Sequence, residues 1–499
     1  MSSGDLLRAA RVARALQVLL EAALWLVVAG SVLAFGSVHA WAYSILWVAC
    51  FTTAAIALAH ALSVSGLRRR LGASRVAFHV SGRWLVIEPR PGDRALGWSI
   101  DLAEPALPRG PLLVPGLALL ALALLQLAPL AGGPATLAPE ATRRGIAFVL
   151  AFLLLHEAAA VAFVSRPAQR RFRRVVAWLG ALVSLAALVQ LASGTRLVYG
   201  FFEPLEGGLP FGPFINRNHF AGFMLLAIPV ALSQLADAGR AYVRRVGDRP
   251  NARRFLVGLQ TPEGTSLLYA ALPPLLGIAA LLASTSRGGI LAFFAALALA
   301  AAGLRAGGGT PAWAAALVFA AVALTWFGLE RLELRFLHAW DDAPGRAVVW
   351  RESLQAMEGR RWVTGYGFNA FAEALSRVPA WTLPRGATPW PEAVRVPLAS
   401  GARFGYRAPG DLPGLSWYRE AHSDWVQLLV ETGVPGLLVG LLAALCALAA
   451  ARRDPWLFAA LAGVLMHVFV DFDLQIPAIS ALFVCLAALH PRGALGARS

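Results

Sequence analysis

The sequence contains no lysine, few acidic residues and only three cysteines. All 44 cationic side chains are arginine, and the net charge is +16. Charged residues make up 14% of the chain, against about 25% in a soluble domain. Cys50, Cys446 and Cys485 lie in apolar segments without the spacing of metal ligands or of a disulfide framework. These deficits exclude a large soluble helical protein, a disulfide scaffold and a zinc-binding fold.

The arginines punctuate hydrophobic segments and form no stripe of the kind that binds nucleic acid. If apolar spans alternate across a bilayer, four arginine-rich connecting segments fall on one side. The positive-inside rule makes that side cytoplasmic, so both termini are expected there. Arg143 and Arg144 depart mildly from this pattern. The four segments are 1–15, 165–174, 237–265 and 451–455.

Long apolar runs account for a hydrophobic content of 58% and a mean hydropathy of +0.62. A bilayer core needs roughly 20 apolar residues per helix, and the runs predict an all-α integral membrane protein with roughly 12 transmembrane helices. The basic N-terminus continues into its apolar run without a cleavage site, which predicts a retained first helix. The predicted spans lie near 16–35, 41–64, 112–130, 144–164, 175–192, 218–236, 267–284, 288–304, 311–328, 426–450, 456–472 and 476–490.

Two polar segments interrupt the spans. Residues 66–111 fall on the cytoplasmic side and contain alternating runs at 75–80 and 83–88, which predict a β-hairpin with a further strand near 98–102. Residues 329–425 fall on the outer side and are too long for a mere connector, so they predict a lid or substrate-binding loop domain with a helix near Pro344. The predicted units are helices 1 and 2 (1–65), a cytoplasmic β-rich insert (66–111), helices 3–9 (112–328), the extracytoplasmic loop domain (329–425), and helices 10–12 with a cytoplasmic tail (426–499).

Polar clusters recur at the outer ends of the predicted spans. Ionisable groups at such positions are costly and are usually functional. They occur where the sixth span begins, in the turn between the seventh and eighth spans, in the loop helix, where the large loop re-enters the membrane, and after the eleventh span. The candidate site residues are Asn216, Arg217, Asn218, His219, Arg287, Arg346, Arg351, His422, Asp424, Glu431 and Asp471.

These residue types suit an anionic lipid substrate. Arginine holds phosphate through paired donors, and Arg287 precedes two glycines that allow close approach to the backbone. Arg346 falls in the first turn of the predicted loop helix, where free N–H groups also attract an anion. His422 is the candidate general base, because a neutral imidazole can accept a hydroxyl proton.

Each candidate also has a structural interpretation. Arg287 could anchor a turn at the membrane interface, and Arg346 and Arg351 could be surface cations. Arg217 and His219 could bond within their loop, and His422 could be a structural cap. Asp424 and Glu431 share a helix face, which predicts a polar stripe that either contacts substrate or joins helices. His467 is more typical of a buried hydrogen bond between helices, and Asp471 could order a loop.

At these clusters the sequence resembles the O-antigen ligase and O-antigen polymerase superfamily of bacterial membrane proteins. The resemblance runs from about 210 to 480; the first 200 residues match only in hydropathy, and the 66–111 insert is not associated with the family. The matching stretches are Asn216-Arg-Asn-His-Phe-Ala-Gly222, Ser286-Arg-Gly-Gly289, Gly345-Arg346 with Trp350, Gly365-Tyr-Gly367 with Phe371, His422-Ser-Asp-Trp425, Glu431-Thr-Gly433 and the segment 467–477.

The resemblance implies a multi-span glycosyltransferase fold that acts at the outer face of the bacterial inner membrane. Its donor would be an undecaprenyl-diphosphate-linked glycan, and no metal or other cofactor would be required. The resemblance places phosphate binding on Arg287 and Arg346 and the catalytic base on His422. The acceptor, which is a glycan, lipid A-core or a protein, separates a ligase from a polymerase, and the residues do not distinguish them. A polytopic transporter or flippase and a non-catalytic scaffold or sensor are the alternatives from other classes.

Overall fold

A computed structural model describes most of the membrane-embedded part of the chain. The large outer segment is described only in pieces, and the predicted ninth span at 311–328 and the predicted helix start near Pro344 lie outside the described residues. The described residues are 3–71, 75–81, 84–88, 97–101, 109–128, 135–204, 209–247, 251–306, 346, 349–351, 353–372, 394–397, 404–407 and 420–489.

Within these residues the chain is mainly helical. Eight described helices are long and apolar enough to cross a membrane, namely α1, α2, α4, α5, α6, α8, α9 and α11, while α3, α12 and α13 are shorter apolar helices. The helices are α1 (Ser3–Leu33), α2 (Ala40–Leu71), α3 (Leu113–Leu127), α4 (Pro139–Ala162), α5 (Arg166–Ser193), α6 (Arg217–Val246), α7 (Ala252–Gly258), α8 (Pro262–Ala283), α9 (Arg287–Ala306), α10 (Arg361–Thr364), α11 (Asp424–Ala451), α12 (Pro455–His467) and α13 (Pro477–Ala487).

Helix α6 forms the centre of the described bundle. It is buried on nearly all sides and packs against α5, α8, α9 and α12. Small residues let the neighbouring backbones approach: a Cβ added at Gly180 would lie 3.0 Å from Ala227, and one added at Gly277 would lie 2.9 Å from Ile228. Close packing through small residues is how helices associate within lipid, where no hydrophobic effect drives them together.

One end of the bundle gathers arginine-rich helix ends. Arg171 at the start of α5 donates two hydrogen bonds of 2.8 Å to the buried Glu21 carboxylate of α1. Arg173 pairs at 2.5 Å with Asp454, which caps α12. Gln17 of α1 donates to the carbonyl of Ala162 at the end of α4 at 3.0 Å. Segments 1–15, 165–174 and 451–455 therefore border the same end of the molecule, which is called the basic end below.

Two small antiparallel sheets lie outside the helices. The strands β1 (Arg75–Ser81), β2 (Trp84–Glu88) and β3 (Gly97–Asp101) form a sheet in the order β2-β1-β3, with Ser81 opposite Trp84. A two-residue connection between β1 and β2 follows from that register. In the outer segment, β4 (Val394–Pro397) pairs with β5 (Phe404–Arg407).

Helix α11 is kinked about two and a half turns after it begins. Gly433 has φ 69° and ψ −172°, a backbone conformation that only glycine adopts readily. Pro435 follows and lacks the N–H that would bond to Glu431. The carbonyls of Val430 and Glu431 consequently lose their helical partners, and inside a membrane such groups require others.

The turn after α10 supplies those partners. The Tyr366 amide donates to the carbonyl of Val430 at 2.9 Å, and the Gly367 amide donates to that of Glu431 at 2.9 Å. The Gln126 side chain of α3 also donates to the Glu431 carbonyl, at 2.7 Å. The kink, the Gly365-Tyr-Gly367 turn and α3 thus form one hydrogen-bonded unit, which fixes the first turns of α11.

Candidate functional site

The end of the bundle opposite the basic end brings together the beginnings of α6, α9 and α11, the end of α12, and the connection 468–476. Arg217 at the start of α6 donates to the Thr285 hydroxyl at 3.0 Å. The Ser286 hydroxyl donates to the Asn218 side-chain oxygen at 2.9 Å. The turn between α8 and α9 is therefore held directly against the start of α6.

Two glycines after Arg287 allow α9 to begin in close contact with its neighbours. A Cβ at Gly288 would lie 3.0 Å from the imidazole of His467, and one at Gly289 would lie 2.5 Å from Ala221. Arg287 itself is half-buried at the first residue of α9. The glycines thus place a guanidinium and the free N–H groups of a helix start at the same point, which is an arrangement suited to an anion.

A buried histidine–aspartate pair lies directly behind this helix start. His467 Nδ1 is 2.5 Å from Asp473 Oδ2, and both side chains are almost completely buried. A Cβ at Gly222 of α6 would lie 2.4 Å from the Asp473 carboxylate. The prediction that His467 makes a buried hydrogen bond is confirmed, and its partner begins a short 3-10 helix, Asp473–Gln475, in the connection that follows α12.

Phe472 lies between two of the predicted site histidines. Its ring packs edge-on against His219, at 4.7 Å between centroids, and against His422, at 5.2 Å. His219 is buried, and its Nε2 lies 3.9 Å from Asp471 Oδ1. The connection 468–476 therefore joins the start of α6 to the segment that precedes α11.

Arg346 reaches the same connection from the large outer segment. Its Nη1 donates to the carbonyl of Val470 at 2.6 Å, and its Nη2 lies 3.6 Å from Asp471 Oδ2. The described residues of 346–355 are helical, and 36% of the Arg346 side chain is exposed. The Arg346 guanidinium is thus held against the connection through Nη1 and Nη2, while part of the side chain remains accessible to an anion.

His422 combines a strained backbone with a lowered pKa. Its φ of 51° lies in the left-handed region, which costs a non-glycine residue about 1–2 kcal/mol. Partial burial lowers the pKa of His422 below its ordinary value, and the nearby charges of Arg346 and His219 lower that pKa further, against the opposing effect of Asp471. The imidazole is therefore uncharged at neutral pH and can accept a proton.

The predicted polar stripe on α11 is divided between two loops. The Asp424 carboxylate accepts the Leu474 amide at 2.9 Å, so it orders the connection 468–476. The Glu431 carboxylate accepts the amides of Asn369 at 2.7 Å and Phe371 at 3.2 Å, so it orders the segment after the Gly365-Tyr-Gly367 turn. Both carboxylates are buried and act on the site through the loops they hold.

The remaining candidate residues are Asn216, Asn218 and Arg351. Asn216 caps α6 by accepting the Asn218 amide at 2.9 Å, and Asn218 in turn accepts from Ser286. Arg351 is exposed, and none of the contacts among described residues joins it to the site. The structure thus brings His219, Arg346, His422 and Asp471 together, with Arg217 and Arg287 on the adjoining helix starts.

Gln126 and Trp350 are two site-forming residues to which the sequence patterns assigned no role. Gln126 bonds to the carbonyl of Glu431 and accepts the Phe368 amide at 2.8 Å. Its signal was an amide side chain inside an otherwise apolar run, which is costly in a membrane unless it is bonded. Trp350 donates to the carbonyl of Ala421 at 2.8 Å, and nothing in the spacing of the sequence indicates that contact.

Comparison with known protein families gives a match to part of the chain. A family model described as O-antigen ligase matches residues 274–441, a segment that contains Arg287, Arg346 and His422. No curated protein matches the chain. The family match confirms the resemblance to the O-antigen ligase and polymerase superfamily. It indicates a multi-pass membrane protein with a glycosyltransferase-like function.

Proposed function

Because residues 274–441 are similar to the O-antigen ligases, we propose that this chain is an inverting membrane glycosyltransferase. It transfers or polymerises an undecaprenyl-diphosphate-linked glycan at the outer face of the bacterial inner membrane, with both termini in the cytoplasm. The reaction uses the chain's own arginines and histidine, and it requires no metal or other cofactor.

One observation carries this proposal: an accessible guanidinium and an uncharged histidine contact the same short connection. Arg346 bonds to Val470, and His422 packs against Phe472 two residues later. Transfer from a lipid diphosphate needs a cation for the leaving group and a base for the acceptor, within the reach of one sugar. The half-buried Arg287 on the neighbouring helix start adds a second cation.

In the proposed mechanism the lipid donor enters laterally from the outer leaflet. Arg287 and Arg346 bind its diphosphate, while Arg217, His219, Asn216, Asn218, Arg351 and Asp471 belong to the surrounding substrate-binding region. The arginines stabilise the charge that develops on the diphosphate as its bond to the anomeric carbon breaks. Asp424 and Glu431 contribute by ordering the two loops that border the donor.

The acceptor hydroxyl is activated by His422. The imidazole accepts the hydroxyl proton while the oxygen forms a bond to the anomeric carbon, and undecaprenyl diphosphate departs with the electrons of the broken bond. A single displacement inverts the configuration at that carbon. The acceptor is a further lipid-linked glycan in a polymerase, and lipid A-core or a protein in a ligase.

A transporter or flippase for a lipid-linked or anionic substrate is the second candidate. It would place charged groups near the middle of the membrane, in discontinuous helices. In the described residues His219, Arg346, His422 and Asp471 instead gather at one end of the bundle. The kink in α11 is the feature that favours a transporter, and its carbonyls are occupied by Tyr366 and Gly367.

Glycan transfer by the purified protein in liposomes tests the proposal. With a lipid-linked glycan donor and a glycan acceptor, His422→Ala and Arg287→Ala are expected to reduce the rate at least ~100-fold. Arg453→Ala, at an exposed position of the basic end, serves as the arginine control and retains transfer. Wild-type rates in correctly inserted His422→Ala and Arg287→Ala proteins contradict the proposed mechanism.

The lipid-linked glycans that accumulate after gene deletion identify the acceptor. Single repeat units on the lipid indicate a lost polymerase, because elongation has stopped. Long lipid-linked polymer indicates a lost ligase, because finished chains cannot leave the carrier. Unchanged pools count against both activities.

A further inference from the structure

We infer that Trp350 and Gln427 are positioning residues that hold His422 in its left-handed backbone conformation. The inference rests on the proposed role of His422 as the base. It assigns to segment 346–355, whose described residues are helical, a second task besides carrying Arg346, namely to fix the base relative to the donor.

The residue before His422 is bonded at both of its backbone polar groups. The Trp350 indole N–H donates to the carbonyl of Ala421 at 2.8 Å. The amide of Ala421 donates to the Gln427 side-chain oxygen at 3.1 Å. Ala421 is completely buried, where an unpaired amide or carbonyl would be costly. Loss of either bond therefore releases the backbone that leads into His422.

The residues after His422 are bonded as well. The amide of Asp424 donates to the carbonyls of Val468 at 3.0 Å and Asp471 at 3.2 Å. The Ser423 side chain caps α11 by accepting the Val426 amide. A left-handed φ at a non-glycine residue persists only where its surroundings over-determine it. The bonds on the two sides of His422 meet that condition.

The orientation of the Gln427 amide is fixed by a further partner. Its nitrogen donates to Glu431 Oε1 at 3.1 Å, and the backbone amide of Ala421 can only donate. The oxygen of the Gln427 side chain must therefore face the Ala421 amide. Glu431 also binds the amide of Asn369. A continuous series of hydrogen bonds therefore runs from Ala421 through Gln427 and Glu431 to the segment after α10.

Trp350 lies one helical turn after Arg346, on the same side of the segment. Arg346 contacts Val470 and Asp471 while Trp350 contacts Ala421. The contacts of this one segment thus fix the position of Arg346 relative to His422. Displacement of a reacting group by about 1 Å can cost on the order of 100-fold in rate.

Two substitutions each remove one of the side-chain hydrogen bonds to the backbone of Ala421 and leave the His422 imidazole unchanged. Trp350→Phe removes the indole N–H and keeps an aromatic ring, and Gln427→Met keeps the length and removes both amide contacts. We expect each to lower kcat by roughly 10–100-fold with little change in KM for the lipid-linked donor. Trp456→Phe is the matched control, because its buried N–H has no hydrogen-bond partner among the described residues.

A double-variant comparison separates positioning from general stability. In the His422→Ala background, Trp350→Phe is expected to cause no further loss of the residual rate, since its effect passes through His422. Hydrogen exchange of a peptide that covers 420–423 is expected to accelerate in Trp350→Phe and Gln427→Met, and to remain unchanged in Trp456→Phe.

The outcomes distinguish this inference from the proposed function. Wild-type transfer by His422→Ala overturns the proposed role of the base and the inference with it. An inactive His422→Ala protein beside wild-type kcat in both Trp350→Phe and Gln427→Met overturns the inference alone. An equal loss from Trp350→Phe with and without His422 also overturns it, because the tryptophan would then act on folding or on another group.

Discussion

Asp471 connects the charged groups of the candidate site at the scale of single residues. It lies 3.6 Å from Arg346 and 3.9 Å from His219, and it is almost completely buried. Its negative charge raises the pKa of His422, while Arg346 and His219 lower that pKa after the larger effect of burial. The protonation of His422 therefore depends on the charge of Asp471, which acts on it through space.

The pH dependence of transfer follows from the lowered pKa of His422. Since the pKa of His422 lies below the ordinary value of 6.5, the acid limb of the pH profile of kcat/KM is expected to have its midpoint below pH 6.5. At lower pH the protonated base can no longer accept a proton, so the rate falls. Asp471→Asn removes an influence that raises this pKa, and the acid limb, normalised to its own plateau, moves to still lower pH. A shift to higher pH contradicts this assignment.

The donor-binding role of Arg346 predicts a difference between two cations. Arg346→Lys keeps the charge and loses the paired donors of the guanidinium, so KM for the lipid-linked donor is expected to rise about tenfold, or about 1.4 kcal/mol. Steady-state kinetics in liposomes measure this change. Arg360→Lys, at an exposed position after the helical segment, is the control and leaves KM unaltered. Equal KM values for the two lysine variants would exclude a paired contact at Arg346.

At the scale of elements, the kink of α11 decides where the polar groups of the site lie. In a straight helix the carbonyls of Val430 and Glu431 would be bonded within the helix, and they would not be available to the amides of the turn after α10. The break at Gly433 instead lets Tyr366 and Gly367 dock against α11. The neighbouring Glu431 carboxylate then fixes Asn369 and Phe371.

Substitution of the kink glycine is expected to destabilise the protein. A Cβ at Gly433 would lie 2.6 Å from the carbonyl oxygen of Val363, in a conformation that disfavours any side chain. Gly433→Ala should therefore cost about 2–4 kcal/mol, measured as a fall in Tm in detergent. Gly30→Ala in α1, where a Cβ would meet nothing within 4 Å, should leave Tm equal or slightly higher. A Tm for Gly433→Ala equal to that of Gly30→Ala would show that the turn is not tightly packed there.

At the scale of the whole molecule, the basic end and the candidate site occupy opposite ends of one bundle. The basic end contains the Arg171–Glu21 and Arg173–Asp454 pairs. The other end contains His422 and Arg346. This separation gives the positive-inside rule a definite prediction for the side on which the site faces.

Cysteine accessibility tests that orientation. In a background with the three native cysteines replaced by alanine, Arg360→Cys near the site and Arg453→Cys at the basic end both lie at exposed positions. A membrane-impermeant maleimide added to intact spheroplasts is expected to label the first and not the second. Labelling of both after permeabilisation is the control for reactivity, and the reverse pattern would invert the proposed topology.

The eight long apolar helices and the gathering of several candidate residues at one end of the bundle were predictable because they rest on composition and local order. Apolar runs mark helices, and the motifs around Arg287, Arg346 and His422 indicated one outer region. The connections among them were not predictable in the same way. Asp424 and Glu431 share a helical face, yet Asp424 binds the connection 468–476 and Glu431 binds the segment after the Gly365-Tyr-Gly367 turn. The hydrogen bond from Trp350 to the carbonyl of Ala421 joins residues far apart in the chain, and no local sequence pattern predicts it.

The kink in α11 also constrains the order in which the protein can assemble. Its bared carbonyls are bonded by Gln126, Tyr366 and Gly367, and all three are translated before α11 emerges from the ribosome. These hydrogen-bond donors are therefore already present when α11 enters the membrane, so the carbonyls of Val430 and Glu431 can be bonded as the helix inserts. A circularly permuted chain that makes α11 first would lose this advantage while keeping every contact of the finished structure.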